Sequence, residues 1–379
     1  KEINAIYVSV FVMNLAETMI SVFVPIYLYY LHYSVVKIIF FFFISHIGSV
    51  ALALPAANMV SKLGSKHSIL FSTPFAVLYF LGLKILPAYP ALFYLLPLLI
   101  TLRGMFYNFG FDLNYIKHLN RKKIGFEISL MHTLAIFASV LAPLVAGILI
   151  TSFGYHYLFT VGSMILLLSL LPLLLQKDSY EKINFNWRSV VGEIFKKKNI
   201  GTTLSYSGYA IESSVGRVIW PVFLMIVLGS AGKVGYLVTV SAFITMIALF
   251  LVGQMADKLH LGKLIRFGTM LYFLGWVGSM FADSALRAFF AEAYRTLSGR
   301  FVLVPWAAAF YRSISPSTYF RSVVLRDIIF NGSRIIILPL IMAIFAINIS
   351  PFIISFAVAS FFTLFYSLLP DDKRVRSSH

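Results

Sequence analysis

The chain alternates long apolar runs with short polar turns. Residues 128–176 and 335–370 show this best, because neither stretch contains a charged side chain. Each is interrupted once by turn-forming residues, at 152–154 and at 348–351. Since a membrane-crossing helix needs about 20 apolar residues, each stretch predicts two antiparallel transmembrane helices. Strands of a membrane barrel would be shorter and would alternate polar with apolar positions, which these runs do not do.

The same pattern along the whole chain predicts an all-α integral membrane protein with twelve transmembrane helices, here called spans 1 to 12. The predicted spans are 5–30, 36–60, 68–85, 90–115, 128–152, 155–175, 201–228, 234–256, 264–282, 285–310, 324–346 and 350–369. Composition agrees, since 60% of the 379 residues are hydrophobic and only 12% are charged. A soluble chain of this length does not bury so much apolar surface in one core.

Basic residues are concentrated in alternate turns. The turns after even-numbered spans and the two tails hold 22 of the 31 lysines and arginines; of the other nine, four lie in odd-numbered turns and five inside spans. Because basic loops stay in the cytoplasm, we predict that both termini are cytoplasmic, in a plasma membrane. This bias accounts for the net charge of +17. The expected surroundings are therefore a lipid bilayer and not a nucleic acid, and the expected state is a monomer.

The longest polar stretch, 176–199, separates two sets of six spans. Its middle predicts a short amphipathic helix on the membrane surface, with one apolar face formed by Trp187, Val190, Val191, Ile194 and Phe195. We therefore predict one six-helix bundle over 1–175, a cytoplasmic linker over 176–199, and a second six-helix bundle over 200–379.

The two sets of spans are related as repeats. Pro143 of span 5 and Pro339 of span 11 are 196 residues apart (339 − 143), and Glu17 of span 1 and Glu212 of span 7 are 195 apart (212 − 17). The turns after spans 2 and 8 match at the same offset of 196. A duplicated six-span unit explains these offsets and predicts two pseudo-symmetric bundles.

The turn after span 8 contains Gly253-x-x-x-Asp257-Lys258, and the turn after span 2 contains Lys62 and Gly64. With six plus six spans, cytoplasmic ends and a basic central loop, the chain resembles the major facilitator superfamily along its whole length. In that family, a Gly-x-x-x-Asp-Arg/Lys-x-Gly-Arg/Lys-Arg/Lys turn joins spans 2 and 3, with a weaker copy between spans 8 and 9. The resemblance implies secondary transport by rocking of two bundles about a central site.

The family's turn also implies a conformational latch, here formed by Gly253, Asp257, Lys258, Lys62 and Gly64. By this resemblance, Asp257 faces the N-terminus of span 5 near 125–128, where the positive end of a helix attracts an anion. The first-half turn departs from the family pattern, with Ala57 for glycine and Ser61 for aspartate. The bland alternative is that Asp257 and Lys258 only end span 8 in water.

Seven charged side chains lie deep within predicted spans: Glu17, Arg103, Glu212, Arg217, Arg295, Arg300 and Arg334. A charge at the centre of a span costs several kcal/mol if it faces lipid, roughly 3 on insertion scales. These groups should therefore face the protein interior, where they either pair with one another or line a hydrophilic cavity. The family lines its cavity with spans 1, 4, 7 and 10, and each of these spans carries a deep charge here.

Helical spacing places further polar and aromatic residues beside those charges. By this spacing, the predicted substrate contacts are Asn14 in span 1, Arg103 and Tyr107 in span 4, Tyr209, Arg217 and Trp220 in span 7, and Arg295 and Arg300 in span 10. The excess of arginine over deep carboxylates suits an anionic or zwitterionic small molecule. The many aromatic residues suit a lipophilic one, and composition does not choose between the two.

Glu17 is the predicted proton carrier, and Glu212 is the second candidate. Burial favours the neutral form of a carboxyl group and a nearby arginine favours the charged form, so a carboxylate whose partner moves can load and release a proton. A permanent ion pair that never titrates is the alternative. The two histidines within spans, His46 and His132, are expected to be hydrogen-bonded packing residues.

Span 5 bears on the direction of transport. Ala138, Ala142, Pro143, Ala146 and Gly147 resemble the Gly-x-x-x-Gly-Pro-x-x-Gly-Gly pattern of the family's antiporters, mainly drug exporters, with alanine at three of the four glycine positions. This favours proton-coupled efflux, and ordinary close packing of small residues is the alternative. Other open alternatives are proton-coupled or passive uptake of an anionic or zwitterionic solute, and a non-transporting receptor or scaffold on the same fold.

Enzymatic motifs are absent from the sequence. There is no His-Glu-x-x-His pair, no Gly-x-Ser-x-Gly turn and no nucleotide-binding loop. The absence of cysteine excludes thiol nucleophiles, disulfides and cysteine metal sites. We therefore predict no enzymatic activity, no metal and no cofactor.

Overall fold

A computed structural model describes residues 2–118, 124–174, 192, 199–258, 261–313 and 319–370. Side-chain placement is described for fewer residues, and it excludes those at 112–136 and 247–261. The predicted amphipathic helix of the linker lies outside the described residues, as does the basic C-terminal tail.

Helices occupy every predicted span. In the first half they are Glu2–Ser21 and Phe23–Tyr30 (span 1), Val35–Leu63 (span 2), Ser65–Ile85 (span 3), Leu92–His118 (span 4), Ile124–Phe153 (span 5), and Tyr155–Leu168 with Leu171–Leu174 (span 6). In the second half they are Ile200–Ser214, Val215–Ile219 and Trp220–Leu228 (span 7), Ala231–Lys258 (span 8), Leu261–Ser279 (span 9), Ala285–Ser313 (span 10), Tyr319–Ile347 (span 11), and Pro351–Thr363 with Leu364–Leu368 (span 12). The predicted all-α architecture of twelve spans is confirmed.

The outer surface of these helices is apolar. Ile336, Leu286 and Ile148 expose 79%, 66% and 56% of their surfaces, as they would in lipid and not in water. Seven helices within the described residues have the length and hydropathy of a membrane span, and spans 5, 6 and 8 contain shorter apolar stretches. The chain is therefore a multi-pass integral membrane protein.

Several of the turns between spans contain residues with a positive φ, which favours glycine or asparagine. Span 2 ends at Gly64 and span 5 ends at Gly154, where φ is +81° and +85°. Gly64 is hydrogen-bonded to both helices that it joins. Its N–H donates to Val60 O of span 2 at 3.0 Å, and its carbonyl accepts from Ser68 Oγ of span 3 at 2.7 Å. The turn between spans 11 and 12 also has left-handed residues, at Asn348 and Ser350.

Helix packing repeats between the two halves. Span 3 packs on span 4 as span 9 packs on span 10, and spans 2 and 4 pack as spans 8 and 10 do. Spans 1 and 5 likewise correspond to spans 7 and 11, and spans 3 and 6 to spans 9 and 12. Equivalent neighbours at a shift of six spans are what a duplicated unit produces, and they form the two pseudo-symmetric bundles.

The two bundles meet mainly along two pairs of spans, 2 with 11 and 5 with 8. The second pair approaches closely because small residues face each other. A Cβ atom added to Gly235 of span 8 would lie 2.4 Å from Pro143 O of span 5, and one added to Gly147 would lie 3.4 Å from Gly232 Cα. The antiporter-like pattern of span 5 therefore includes residues that pack the halves together.

Gly268 of span 9 offers a sharp test of this packing. An added Cβ atom would lie 2.4 Å from the carbonyl oxygen of Phe301 in span 10, whereas one on Gly278 of the same helix meets no atom within 4 Å. We expect Gly268→Ala to destabilise the purified protein by about 1–3 kcal/mol through overpacking. Gly278→Ala should be neutral or stabilising, because alanine favours helix over glycine. Thermal unfolding followed by circular dichroism measures both, and equal melting temperatures for the two variants would contradict this packing.

Candidate functional site

Span 7 is broken at mid-length by a proline. Pro221 has no N–H, and its ring clashes with the carbonyl four residues earlier, that of Arg217, in a regular α-helix. The helix avoids the clash by widening to a π-turn at Val215–Ile219, in which Trp220 N–H donates to Val215 O, five residues back. Such π-bulges often occur at functional sites, and this one carries Arg217.

Span 1 is broken at the corresponding place. Its helix stops at Ser21 and restarts at Phe23, and Pro25 removes the hydrogen bond that would go to the carbonyl of Ser21. Pro25 and Pro221 are 196 residues apart (221 − 25), which is the offset of the other matched prolines. Both halves therefore break their first span at the same position.

The two breaks border one cavity of about 470 Å³. Its wall comes from spans 1 and 2 of the first half and spans 7, 8, 10 and 11 of the second. Its polar lining residues are Ser21, His46, Ser213, Ser214, Arg217, Glu292, Arg295 and Arg334. The volume lies within the range of small-molecule sites.

Arg217 and Arg334 are bound only by neutral groups among the described residues. Arg217 Nη2 donates to the hydroxyl of Tyr209 at 3.1 Å. Arg334 donates from Nε to Ala210 O at 3.3 Å and from Nη2 to Ser213 Oγ at 3.2 Å. Neither guanidinium is in ion-pair contact with a described carboxylate, although Asp327 and Glu212 attract that of Arg334 from a greater distance.

Arg295 differs, because its charge is already balanced. It forms an ion pair with Glu292, one turn earlier in span 10. Its guanidinium also lies over the rings of Trp220 at 4.9 Å and Trp276 at 4.5 Å, which favours the cation further. Arg295 lines the cavity, yet only 8% of the residue is exposed. The predicted Arg300 is half-buried and does not line this cavity.

Glu212 is enclosed by hydrogen-bond donors and lies outside the cavity wall. Oε1 accepts from Tyr272 Oη at 2.7 Å and from Trp276 Nε1 at 3.1 Å, and Oε2 accepts from Tyr366 Oη at 2.9 Å. These donors come from spans 9 and 12, so the carboxyl group ties three helices of the second half together. Its predicted role as a second proton carrier stays a prediction.

Glu17 of span 1 and Arg103 of span 4 are in direct ion-pair contact. Arg103 is only 6% exposed and lies over the ring of Tyr107 at 4.1 Å, whereas 31% of the Glu17 side chain is exposed. Asn14, one turn before Glu17, is half-buried. None of these four residues lines the 470 Å³ cavity, so their roles in substrate binding and proton coupling stay predictions.

Most residues of the cavity wall were left out of the predicted site, His46 and Arg334 among them. His46 was interpreted as a packing residue, and its Nδ1 does form a 2.8 Å hydrogen bond with Asn331 Oδ1 across the boundary between spans 2 and 11. It also faces the cavity, beside Arg334. Arg334 had a visible signal, since it is a deep charge in a span, but span 11 lay outside the four expected to line the cavity.

The predicted latch lies only partly within the described structure. Lys62 is exposed at the end of span 2, and Gly64 forms the turn to span 3. Side-chain placement is not described for the turn that contains Gly253, Asp257 and Lys258. It is not described near 125–128 either, where Asp257 was expected to find its partner. The latch therefore stays a prediction.

Comparison with known proteins identifies the family. The model of the Major Facilitator Superfamily matches residues 6–318. The fold is similar to the crystal structure of a D-xylose–proton symporter, with a TM-score of 0.77 and 11% identity over 97% of this chain and 96% of that one. It is also similar to the nucleoside transporter NupG, with a TM-score of 0.73 and 11% identity over 97% of each chain. No curated protein matches the chain in sequence.

The chain belongs to the Major Facilitator Superfamily. It is therefore a secondary transporter of small molecules and not an enzyme, as the sequence predicted. The two solved structures share its fold at an identity too low to transfer a substrate.

The buried pair of Arg295 and Glu292 yields a stability prediction. Glu292→Gln keeps the shape but leaves a buried guanidinium without its counter-charge, which should cost about 3–5 kcal/mol. The matched control is Asp283→Asn, which removes a carboxylate from an exposed pair with Arg287 and should cost at most about 1 kcal/mol. Thermal unfolding of both proteins measures the difference. Similar melting temperatures for the two variants would show that Arg295 does not depend on Glu292.

Proposed function

We propose that this chain is a proton-coupled secondary transporter that moves a small solute through the 470 Å³ cavity by alternating access. Glu17 carries the proton, Arg103 is its charge partner, and the direction is export in exchange for protons. The observation that carries the proposal is the position of the cavity, whose wall is shared between the two bundles. Rocking of one bundle against the other would open such a cavity to either side of the membrane.

The contact between Glu17 and Arg103 supports the coupling. The two residues belong to different helices, so a small relative movement of spans 1 and 4 separates the charges. A carboxylate beside a guanidinium stays charged, and a carboxyl group that loses this partner in an apolar setting gains a proton. The partial exposure of Glu17, 31% against 7% for the Arg103 side chain, gives the proton a route to water.

The span 5 pattern supports export, although Pro143 and Gly147 also pack against span 8. The cationic cavity favours a second candidate, proton-coupled uptake of an anion. An anion entering a cell works against about 2.3 kcal/mol per charge for each 100 mV of membrane potential, and a co-transported proton removes that cost. A non-transporting receptor would be expected to pair its intramembrane charges fully, whereas Arg217 and Arg334 are in ion-pair contact with none of the described carboxylates.

Several further features belong to this proposal. Both termini lie in the cytoplasm, the membrane is a plasma membrane and the working unit is a monomer. The six-helix bundles extend over 1–175 and 200–379, with the linker between them. Gly253, Asp257, Lys258, Lys62 and Gly64 steady the state that is closed to the cytoplasm.

The coupling is tested in proteoliposomes that contain a trapped pH dye and an imposed pH gradient. Organic acids, sugars, nucleosides and lipophilic cations are added in turn, from inside or outside, and solute-dependent proton flux is recorded. We expect flux with the parent protein, and none above protein-free liposomes for Glu17→Gln, because an amide does not exchange a proton.

The control is Asp283→Asn, which removes an exposed carboxylate far along the chain from the ion pair and should retain the parent rate. Full gradient-driven flux in Glu17→Gln would contradict the role of Glu17. A parent protein that moves solute without moving protons would contradict the coupling itself. The side of the membrane on which added solute starts the proton flux decides between export and uptake.

A further inference from the structure

The cavity is divided into a charged part and an apolar part, and we infer that its substrate is a small organic anion with an apolar body. The anionic group binds between Arg217 and Arg334, and the apolar body lies against Trp220, Leu224, Val234 and Val238. This inference rests on the proposed function, since it assigns the chemical class of the solute that the same cavity carries.

Charge is the first argument. Within the described part of the chain, the cavity lining contains three arginines and one carboxylate, and that carboxylate is in contact with Arg295. Arg217 and Arg334 have no described carboxylate in direct contact, and they repel each other, with Asp327 and Glu212 attracting Arg334 only from a greater distance. Placing two such cations side by side in a low-dielectric site is unfavourable, and an anion between them removes the repulsion while it accepts charge-assisted hydrogen bonds.

The hydrogen bonds of both arginines leave donors for a ligand. A guanidinium group has five N–H donors. The structure uses one of these on Arg217 and two on Arg334, all toward neutral acceptors. The Arg217 side chain is exposed within the cavity wall, where the π-turn projects it. Both side chains can therefore bind a carboxylate or a phosphate without giving up a protein ion pair.

The apolar part lies on one side of these charges. Trp220 and Leu224 follow Arg217 by one and two turns along span 7, toward the helix end at Leu228. Val234 and Val238 line the same region from the start of span 8. An apolar wall with a few convergent polar groups at one end orients an amphiphilic ligand. The acidic group would thus point toward mid-membrane and the body toward the turn between spans 7 and 8.

The other deep arginines do not compete for this role, and one of them, Arg300, does not line the cavity. Arg103 is in contact with Glu17, and Arg295 is in contact with Glu292 and lies over two indole rings. An anion would have to displace a carboxylate from either one. Arg334 therefore joins Arg217 as a specificity-determining residue, although only Arg217 was expected from the sequence to contact substrate.

The test measures equilibrium binding to the purified full chain in detergent, with no pH gradient. The probes share a phenyl body and differ in the head group: 4-phenylbutyrate and phenyl phosphate as anions, 4-phenylbutyramide as a neutral analogue and 4-phenylbutylamine as a cation. Acetate is the anion without an apolar body. Quenching of tryptophan fluorescence reports binding, because Trp220 lines the cavity, and thermal stabilisation gives a second readout.

We expect at least one aromatic anion to bind about tenfold or more tightly than the amide, with the amine and acetate weaker still. Arg217→Gln and Arg334→Gln should each lose at least that factor, and Arg217→Lys should lose less because it keeps the charge. Arg287→Gln, which changes an exposed arginine outside the cavity, should bind like the parent. If Arg334→Gln does not fold, the affinity of Arg217→Gln and the comparison of probes on the parent protein still test the inference.

Equal binding of acid and amide, preference for the amine, or no binding of either aromatic anion up to about 10 mM would overturn the inference. Unchanged affinity in Arg217→Gln would overturn it as well. These outcomes are separate from the coupling test: anion binding without proton flux refutes only the coupling, and proton flux driven by neutral or cationic solutes refutes only the substrate class.

Discussion

A charged side chain inside a bilayer must find something that replaces water, and this requirement organises the centre of the molecule. Each deep arginine meets it differently. Arg103 has a carboxylate and a tyrosine ring, and Arg295 has a carboxylate and two indole rings. Arg217 and Arg334 have only neutral hydrogen-bond acceptors and an open cavity. The first two have a carboxylate in direct contact, and the last two leave hydrogen-bond donors for the proposed anion.

The breaks in spans 1 and 7 give this cavity its position. In a continuous α-helix, Arg217 would point in the direction set by the regular helical spacing. The π-turn that Pro221 imposes changes that direction. Pro25 occupies the equivalent place in the first half. The duplicated unit therefore has two helix breaks, and both border the cavity between the bundles. Close packing of spans 5 and 8 and of spans 2 and 11 then holds the halves against each other around it.

The number of spans, their helical structure and their arrangement as a repeat could be predicted from the sequence. Spans can be predicted from hydropathy because lipid requires every backbone polar group to be satisfied within a helix, and the offset between Pro143 and Pro339 already indicated the repeat. The site was harder to predict. Spacing along a helix places Glu212 and Arg217 near each other, but it does not show that Glu212 faces Tyr272 and Tyr366 while Arg217 faces the cavity.

Partners from distant spans account for most of what sequence reasoning missed. Glu292 is one turn from Arg295, and its pairing was foreseeable, whereas the contact of His46 with Asn331 joins residues 285 positions apart. The π-turn was also missed, although Pro221, four residues after Arg217, could have suggested a helix break. Orientation of a side chain toward cavity, helix or lipid depends on the relative rotation of helices, which no local pattern contains.

Transport by this mechanism requires that water reach the cavity between the two bundles. Because the chain contains no cysteine, a single Ser21→Cys substitution would report on that cavity directly, through its rate of reaction with a membrane-impermeant thiol reagent in sealed vesicles. We expect rapid labelling of Ser21→Cys, because Ser21 is exposed in the cavity wall, and none of Leu274→Cys, because Leu274 lies on the apolar outer surface of span 9. Labelling of Ser21→Cys as slow as that of Leu274→Cys, from both sides of the membrane, would contradict it.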